Sequence, residues 1–571
     1  MRTSQHKWLA GILAWGLAFR LIVATYLPPG YDEAYYYLYT LHPALSYFDH
    51  PPLVGWVTGF GIWLSSGLVN GFTLRLGTVL LYTGSLYFFY RTSGQLFGQG
   101  TALLSLAIAS TIPFFQIGFG VLTLPDSPLM FFWTAALWLG AVEFFPQAQT
   151  YQPSWRLTLL GLLVGGACLG KYHGVLLGLG ILLFALLSRK HRRIFASPWL
   201  YGGMLMALVA IAPVLIWNFH HDWVSIRFQS GRAIPQGGYR LGDLLLVFLV
   251  GVGYLFPTFG FPLWCYSFRQ IWHLAQVKLS KGDLDLEQQK FLWILCISVP
   301  IFLGFTLMGG YRQILPSWHM PGFWGATLLL GHQIAIAQRR HPLMIRNWLL
   351  GSGLVIFTLL SVALLHITQG IFQKDGNQAI LGGFWPVAQD ASTELVDLPQ
   401  LRQAFTTAPS LSNALNQADF VFSNNFFLAG QVAVALANAK PITTLDTDLR
   451  GFAFWSRPQT WLGKNALYIT SKQFEFTNRQ NLEQLATLGA PDLLANLEPQ
   501  LNQDQIPALA VYRLLFDQVE LIAEVPIQRG GATTQVFLIY RATNLQRPYP
   551  RPYGIRDKSQ AGASPESLPN P

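Results

Sequence analysis

Long apolar runs recur along the first two thirds of the chain, and short polar or basic stretches separate them. A helix needs about 20 mostly apolar residues to cross a bilayer. The runs that approach this length cover residues 8–27, 72–90, 101–122, 128–145, 156–170, 173–188, 199–217, 241–264, 291–309, 321–337 and 347–368. They predict eleven membrane-spanning helices. We interpret the first run as a spanning helix and not a cleaved signal, because no small-residue cleavage site ends it.

The stretch from Leu53 to Val69 is also apolar, but it is rich in glycine and serine and follows Pro51-Pro52. If it does not span, the basic segments between the other runs all share one side, which the positive-inside rule assigns to the cytoplasm. Those segments are Arg2 and Lys7, Arg91, Arg156, Arg189–Arg193, Arg269–Lys290, and Arg339-Arg340 with Arg346. We therefore expect residues 53–69 to lie at the outer interface. The alternative is twelve or thirteen spans, with one short run misjudged.

Composition supports the same class of protein. The 571 residues are 52% hydrophobic and 11% charged, whereas soluble chains carry about 25% charged residues. The net charge of +10 would suggest a nucleic-acid partner in a soluble protein. Much of it lies in the short loops, so we expect no nucleic acid. Cys168, Cys265 and Cys296 fall inside apolar runs and predict neither a disulfide framework nor a metal site.

Acidic residues divide the chain into two parts. Only six precede residue 240, whereas acids and amides are frequent after residue 370. We predict a transmembrane domain over residues 1–368, with a first outer loop at 28–71, and a soluble extracytoplasmic α/β domain over 369–545. In that domain the pattern predicts strands at 418–422 and 466–469, a helix at 430–439, and a hairpin of 519–525 with 534–540. The proline-rich residues 546–571 are expected to be disordered.

The rare acids of the first part fall in segments that this topology places on the outer face. Asp32-Glu33 follows the first helix, Asp49-His50 occupies a proline-rich turn, and Asp126 separates two apolar runs. Each position also has an ordinary structural explanation: a solvated helix start, a rigid turn and an N-cap. Their gathering on one face is the main functional clue in the sequence.

Several cations depart from the positive-inside trend and share that outer face. They are Lys171, His173, Arg227, Arg232, Arg240 and Arg312. Singly, each suits an interfacial residue that snorkels. As a group they indicate an anionic ligand, because guanidinium groups bind phosphate bidentately. A lipid phosphate fits this location, since its chain stays in the bilayer. The sequence shows no Walker loop, no dinucleotide fingerprint and no metal-spaced His and Cys pairs.

In this order the motifs resemble those of membrane glycosyltransferases related to the protein O-mannosyltransferases and to the aminoarabinose transferase of lipid A. The matching segments are Asp32-Glu33 with the tyrosines after it, Tyr47–Trp56, Pro125–Pro128, Lys171–Gly174, Trp223–Gln229, Gly231–Ala233 and, more loosely, Gly451–Trp455. The resemblance covers about residues 8–370. It implies a GT-C, glycosyltransferase family 39-like architecture that transfers sugar from a polyprenyl-phosphate donor to a protein, lipid or glycan outside the membrane.

The resemblance also implies roles for single residues. The family's acid after the first helix falls on Asp32, and its second outer acid falls on Asp126. Where the lipid A enzymes carry a lysine, this chain has His50, which is mostly neutral at pH 7. A lipid phosphate is a good leaving group, so the reaction needs a carboxylate base and cations that stabilise the phosphate.

We accordingly expect Asp32 to act as base, with Asp126 or Glu33 orienting the acceptor. Asp49 and Tyr35 are expected to bind the acceptor or to support the site. The residues predicted to bind the donor phosphate are Lys171, Arg232, Arg312, His50 and His173. We expect no metal ion and no cofactor.

Two other functions remain open at the sequence level. A transporter or lipid flippase would carry charged groups near the bilayer midplane, often in repeated halves; the chain shows neither repeats nor clear midplane ion pairs. A non-catalytic anchor for the C-terminal domain would tolerate loss of the outer carboxylates. The preferred hypothesis is a multi-pass glycosyltransferase of the plasma (inner) membrane.

Overall fold

Helices make up the first 369 residues of the structure, which is a computed structural model describing residues 2–146, 151–232, 234–235, 237–280, 282–477, 481, 483 and 506–555. The helices are α1 (Arg2–Tyr26), α2 (Tyr31–Leu41), α3 (Leu53–Leu64), α4 (Gly71–Phe97), α5 (Gln99–Ala109), α6 (Asp126–Phe144), α7 (Arg156–Gly170), α8 (Gly174–Leu187), α9 (Pro198–His220), α10 (Val224–Gly231), α11 (Leu241–Leu255), α12 (Pro257–Leu279), α13 (Leu286–Met308), α14 (Met320–Arg340) and α15 (Pro342–Gln369).

Within the described ranges, five helices are long and apolar enough to cross a membrane by length and composition: α1, α6, α9, α13 and α15. A sixth crossing is possible if the bent pair α11 and α12 forms one span. Shorter apolar helices include α3, α5, α7 and α8. The protein is a multi-pass membrane protein, and the count of eleven spans stays a prediction.

Two predicted spans are not single helices. The run at 241–264 is broken at Phe256, where α11 and α12 meet at a bend of 117°. The run at 101–122 ends as α-helix at Ala109 and continues as a π-helical turn over Phe115–Phe119. Pro257 and Pro113 lie at these breaks. Proline cannot donate a backbone hydrogen bond and disfavours helical geometry in the residue before it.

The apolar stretch after Pro52 forms only the 12-residue helix α3. At 1.5 Å per residue this helix is about 18 Å long, shorter than the roughly 30 Å hydrocarbon core. Its length agrees with the expectation that residues 53–69 do not span. Together α2 and α3 form most of the first loop, which carries Asp32 and Asp49.

The C-terminal region is a small α/β domain, as the sequence predicted. Its helices are α16 (Leu398–Thr407), α17 (Pro409–Gln417), α18 (Phe426–Leu436), α19 (Phe452–Trp455) and α20 (Ala508–Leu515). Its strands are β1 (Phe420–Ser423), β2 (Ile442–Thr444), β3 (Ala466–Ser471), β4 (Phe476–Thr477), β5 (Ile506–Pro507), β6 (Phe516–Arg529) and β7 (Ala532–Leu545). The predicted strands and hairpin fall within β1, β3, β6 and β7, with β1 starting two residues late at Phe420.

The main sheet has the strand order β2-β1-β3-β7-β6. Strand β1 pairs parallel with β2 and β3, whereas β7 pairs antiparallel with β3 and β6. Gly530 and Gly531 close the β6–β7 hairpin with φ of 56° and 88°. Positive φ at both positions suits the tight turns that match strand twist, and glycine reaches it without a Cβ clash.

Helix α18 joins the C-terminal domain to the first loop. A Cβ placed on Gly430 of α18 would lie 2.7 Å from the backbone nitrogen of Tyr35 in α2. Only glycine permits so close an approach of the two backbones. The buried tyrosines of α2 and the apolar face of α18 consequently share one hydrophobic core, and the C-terminal domain packs directly on the helix that carries Asp32.

The expected disorder of the proline-rich tail is wrong for its first residues. Tyr549 and Tyr553 are buried, and the guanidinium of Arg551 donates a 2.5 Å hydrogen bond to the carbonyl of Ser456. These aromatic and cationic side chains find partners on the domain despite the neighbouring prolines. Residues 556–571 lie outside the described part of the chain.

Candidate active site between the first loop and the helix ends

A cavity of about 270 Å³ brings together six of the ten predicted site residues. They come from α2, the turn before α3, the start of α6, the α7–α8 turn and the end of α10. The six are Asp32, His50, Asp126, Lys171, His173 and Arg232. The opposite wall is largely apolar and includes Val175, Leu176, Phe305, Met308, Leu315 and Trp318. The cavity therefore offers charged groups beside a surface suited to a hydrocarbon chain.

Asp126 and Lys171 form a buried ion pair in this cavity. The Nζ of Lys171 lies 2.9 Å from both carboxylate oxygens of Asp126, and their side chains are 7% and 4% exposed. Asp126 begins α6, and Lys171 follows the last residue of α7, so the pair joins two helix ends. The Nζ also lies 3.4 Å from the hydroxyl of Ser317. Asp126 holds the ammonium in place and offsets its charge.

Asp32 is the second residue of α2, and its side chain opens onto the cavity. Its carboxylate has no hydrogen-bond partner among the residues that the structure describes. Desolvation by the surrounding protein, together with the carboxylate of Asp49, raises the pKa of Asp32 to about 6, whereas Arg450 opposes this shift. At pH 7 the group is mostly ionised and can accept a proton. It has the properties of a general base.

Glu33 does not line the cavity, which argues against its predicted role in orienting the acceptor. Its carboxylate forms a buried ion pair with Arg75, with contacts of 2.7 and 2.5 Å. It also accepts hydrogen bonds from the backbone N–H groups of Gly30 and Thr123. The carboxylate is thus fully engaged in joining α2, α4 and the segment before α6.

Asp49 and Tyr35 lie behind the cavity wall. The carboxylate of Asp49 accepts a hydrogen bond from the hydroxyl of Tyr39 and a 3.2 Å bond from that of Tyr35. The Tyr35 hydroxyl in turn accepts a 2.9 Å bond from the backbone N–H of Gly451. Burial raises the pKa of Asp49 although Arg450 opposes the shift. These two residues connect the first loop to the C-terminal domain.

The two histidines line the cavity as neutral groups. Burial, followed by the charges of Lys171 and Arg232, holds the pKa of His50 well below its usual range. The His50 ring packs edge-on against Tyr36, with centroids 5.6 Å apart. Nδ1 of His50 and Nε2 of His173 are buried without a partner among the described residues. Each ring nitrogen thus has an unused hydrogen-bonding capacity, but neither histidine brings a permanent charge to a phosphate.

The two arginines that were predicted to bind phosphate, Arg232 and Arg312, differ in their position relative to the cavity. Arg232 lines the cavity, with its guanidinium 5.2 Å from the ring centre of Phe228 and 5.8 Å from that of Trp318. Arg312 does not line it. Its guanidinium instead donates to the carbonyls of Arg232 and Gly231 at the end of α10. The structure therefore favours a supporting role for Arg312, in place of the predicted phosphate contact.

Two solved structures share the architecture of this chain. ArnT from Cupriavidus metallidurans, bound to undecaprenyl phosphate, superposes with a TM-score of 0.59 at 15% identity, covering 94% of this chain and 98% of that one. Its apo form gives a TM-score of 0.57 at 14% identity, over the same shares of the two chains. The chain has the GT-C fold.

Sequence comparisons agree with this GT-C fold. Residues 49–217 match the dolichyl-phosphate-mannose-protein mannosyltransferase family. The lipid A galacturonosyltransferase RgtD of Rhizobium johnstonii is 25% identical over 299 residues, which are 52% of this chain and 59% of RgtD. The chain thus matches little more than half of that relative's length. The predicted resemblance and the helical GT-C fold with a small C-terminal sheet domain are confirmed, and the matched proteins are glycosyltransferases and not transporters.

The sequence analysis did not identify Arg450, whose charge lowers the pKa of Asp32 in the cavity. Arg450, in the loop after β2, forms an ion pair with Asp448 at 2.9 Å. Its guanidinium also lies 4.7 Å from the ring centre of Phe228. Burial lowers the pKa of Arg450, but the carboxylates of Asp448 and Asp49 outweigh this effect and raise it. The only clue in the sequence is the position of Arg450 directly before the loosely matching Gly451–Trp455 segment.

Among the described residues, no group of three His, Cys, Asp or Glu side chains is arranged to hold a metal ion. The expectation of a metal-independent reaction stays a prediction.

Proposed function

We propose that this protein is an integral membrane glycosyltransferase that moves a sugar from a polyprenyl-phosphate donor to a hydroxyl of a protein, lipid or glycan acceptor. The observation that carries the proposal is the juxtaposition of Asp32 with Lys171 and Arg232 in one cavity. A carboxylate without a partner and two cations are the groups that an acceptor proton and a leaving phosphate require. The apolar wall supports a prenyl chain as the donor's anchor.

In the proposed reaction the acceptor hydroxyl attacks the anomeric carbon of the donor sugar. The bond between that carbon and the phosphate oxygen breaks, and its electrons leave with the polyprenyl phosphate. Asp32 takes the hydroxyl proton as the new glycosidic bond forms. Lys171 and Arg232 stabilise the phosphate charge, and the ring N–H groups of His50 and His173 donate to its oxygens.

Two relatives support parts of this assignment. ArnT was crystallised with undecaprenyl phosphate, and RgtD is named a transferase acting on lipid A. The positive charge of the loops supports a plasma (inner) membrane location, with the cavity and the C-terminal domain on the extracytoplasmic side. Protein, lipid and glycan acceptors all carry hydroxyl groups, so the assay includes all three.

The test uses the full-length protein in nanodiscs with undecaprenyl-phosphate-linked hexoses and uronic acids as donors. Membrane lipid and glycan extracts and hydroxyl-bearing peptides serve as acceptors, and release of undecaprenyl phosphate reports turnover with any sugar. We expect Asp32→Asn to abolish release, because an amide cannot take the proton. Asp243→Asn, which changes an exposed carboxylate in α11, should be fully active. Full activity of Asp32→Asn would refute the proposed base.

A further inference from the structure

A second cavity lies in the C-terminal domain, at the carboxyl ends of its parallel strands. It measures about 150 Å³. Asn424 and Asn425 follow β1 directly, and Asp446 lies two residues beyond β2. The chain crosses from β1 to β2 through α18 and then returns to the other side of β1 as β3. In open α/β sheets, ligands bind in the crevice where the strand order reverses in this way.

The side-chain amides of Asn424 and Asn425 already make hydrogen bonds within the protein, but one donor is left over. Asn424 is held on both sides, since its Oδ1 accepts from Thr470 and its Nδ2 donates to the carbonyl of Phe474. The Oδ1 of Asn425 accepts from two backbone N–H groups at the start of α18. The Nδ2 of Asn425 has no partner within the described parts of the chain. This leaves a hydrogen-bond donor facing the crevice.

A carboxylate and a phenol hydroxyl also line this cavity. The carboxylate of Asp446 accepts a 2.7 Å bond from the N–H of Thr447 through Oδ1, and burial raises the pKa of this carboxyl to about 7. The side chain of Tyr549 is only 7% exposed, and its hydroxyl has no hydrogen-bond partner among the residues described. An aromatic residue buried to this extent usually satisfies its hydroxyl. Because Tyr549 lines the cavity, its free hydroxyl can bond to a ligand there.

We propose that this cavity is a carbohydrate-binding site that accepts one pyranose ring of a glycan. A sugar hydroxyl both donates and accepts, which matches an amide donor, a carboxylate acceptor and a phenol. The aromatic walls formed by Phe474, Tyr512 and Tyr549 can cover the apolar face of the ring. A phosphate is disfavoured because the described residues that line the cavity include an acid and no cation. A metal ion is disfavoured because the amide oxygens are already bonded.

The cavity is linked to Arg450 by two chain segments. Asp446 and Arg450 are four residues apart in the loop after β2. Tyr549 and Tyr553 are four residues apart in the last described segment, and the Tyr553 hydroxyl accepts a 2.9 Å bond from the N–H of Arg450. A ligand on Asp446 and Tyr549 thus touches both segments that hold Arg450. If the proposed transferase function is correct, we infer that the ring belongs to the acceptor glycan.

The test uses NMR to measure saturation transfer from the full-length protein to sugar probes. The protein is held in phosphatidylcholine nanodiscs, which carry no sugar headgroups. The probes are methyl hexopyranosides and a methyl N-acetylhexosaminide. We expect transfer to at least one probe, with affinity weakened about three- to tenfold by Tyr549→Phe, the loss expected for one hydrogen bond. Asp446→Asn should weaken it similarly. The matched control Asp419→Asn, at the opposite end of the sheet before β1, should bind as the wild type does.

The proposal is overturned if no pyranoside receives saturation, or if the transfer is unchanged in both Tyr549→Phe and Asp446→Asn. Tyr549→Phe removes an oxygen that makes no hydrogen bond among the described residues, so a normal Tm is expected and verifies folding. The measurement also works in the Asp32→Asn variant, because binding needs no turnover. Sugar binding without transferase activity would refute only the proposed function, and activity without binding would refute only this site.

Discussion

The ammonium of Lys171 lies 2.9 Å from both carboxylate oxygens of Asp126, in a cavity where both side chains are almost fully buried. Breaking such a pair leaves an uncompensated charge and typically costs about 3–5 kcal/mol. We expect Lys171→Met to lower the Tm and to abolish binding of undecaprenyl phosphate. Thermal unfolding with and without this lipid measures both effects.

The double variant Asp126→Asn with Lys171→Met separates structure from chemistry. Without either charge, much of the lost stability should return, because no unpaired ion remains buried. Lipid binding and sugar transfer should stay absent. Recovery of lipid binding in the double variant would show that Lys171 does not contact the phosphate.

The raised pKa of Asp32 predicts the pH dependence of the reaction. Only the ionised carboxylate can act as base, so the rate should fall as the pH drops through about 6 and level off above it. A carboxyl whose pKa is raised on folding destabilises the folded state at neutral pH, since the unfolded chain ionises it more easily. Asp32→Asn should therefore be inactive and yet unfold at the same or a higher temperature. A pH–rate profile and thermal unfolding test the two statements independently.

Substitution of Glu33 should destabilise the protein, whereas substitution of its neighbour Asp32 should not. Glu33→Gln removes the charge that pairs with Arg75 and replaces by an NH2 group one of the two oxygens that accept backbone hydrogen bonds, so a loss of about 3–5 kcal/mol in stability is expected. Asp32→Asn is the matched control, since it makes the same chemical change one residue away. If Glu33→Gln kept wild-type stability but lost activity, Glu33 would belong to the catalytic group after all.

Arg450 should shift the acid limb of the pH–rate profile. Its charge lowers the pKa of Asp32, so Arg450→Met should move the limb to higher pH and reduce the rate at pH 7. Arg450→Lys retains the charge and should keep the limb near its original position. An unchanged profile in Arg450→Met would show that the C-terminal domain does not tune the base.

The apolar runs and loop charges were enough to predict a polytopic helical protein with an α/β domain after residue 369. Bilayer insertion depends on local hydrophobic length, which a sequence states directly. Breaks such as the one at Phe256 were less visible, because proline permits a kink, a helix start or a full bend, and only packing selects among them.

Composition and motif order also identified Asp32, Asp126 and Lys171, which do line one cavity. The sequence favoured Asp32 as the base but also placed Glu33 in the site. Adjacent residues on a helix point about 100° apart, so one carboxylate reaches the cavity and the other meets Arg75. Which side faces the cavity depends on how α2 docks against α4 and α18.

Arg450 marks the limit of sequence reasoning for this protein. It acts on Asp32 from 418 positions away along the chain, because Gly430 lets the C-terminal domain pack against α2. The sequence alone determined the membrane class, the two-part organisation and most of the cavity's charged residues, since these follow from local composition. Only the tertiary structure decided that the carboxylate of Asp32 is free and that Arg450 lowers its pKa. The reason is that electrostatic coupling depends on distance in space.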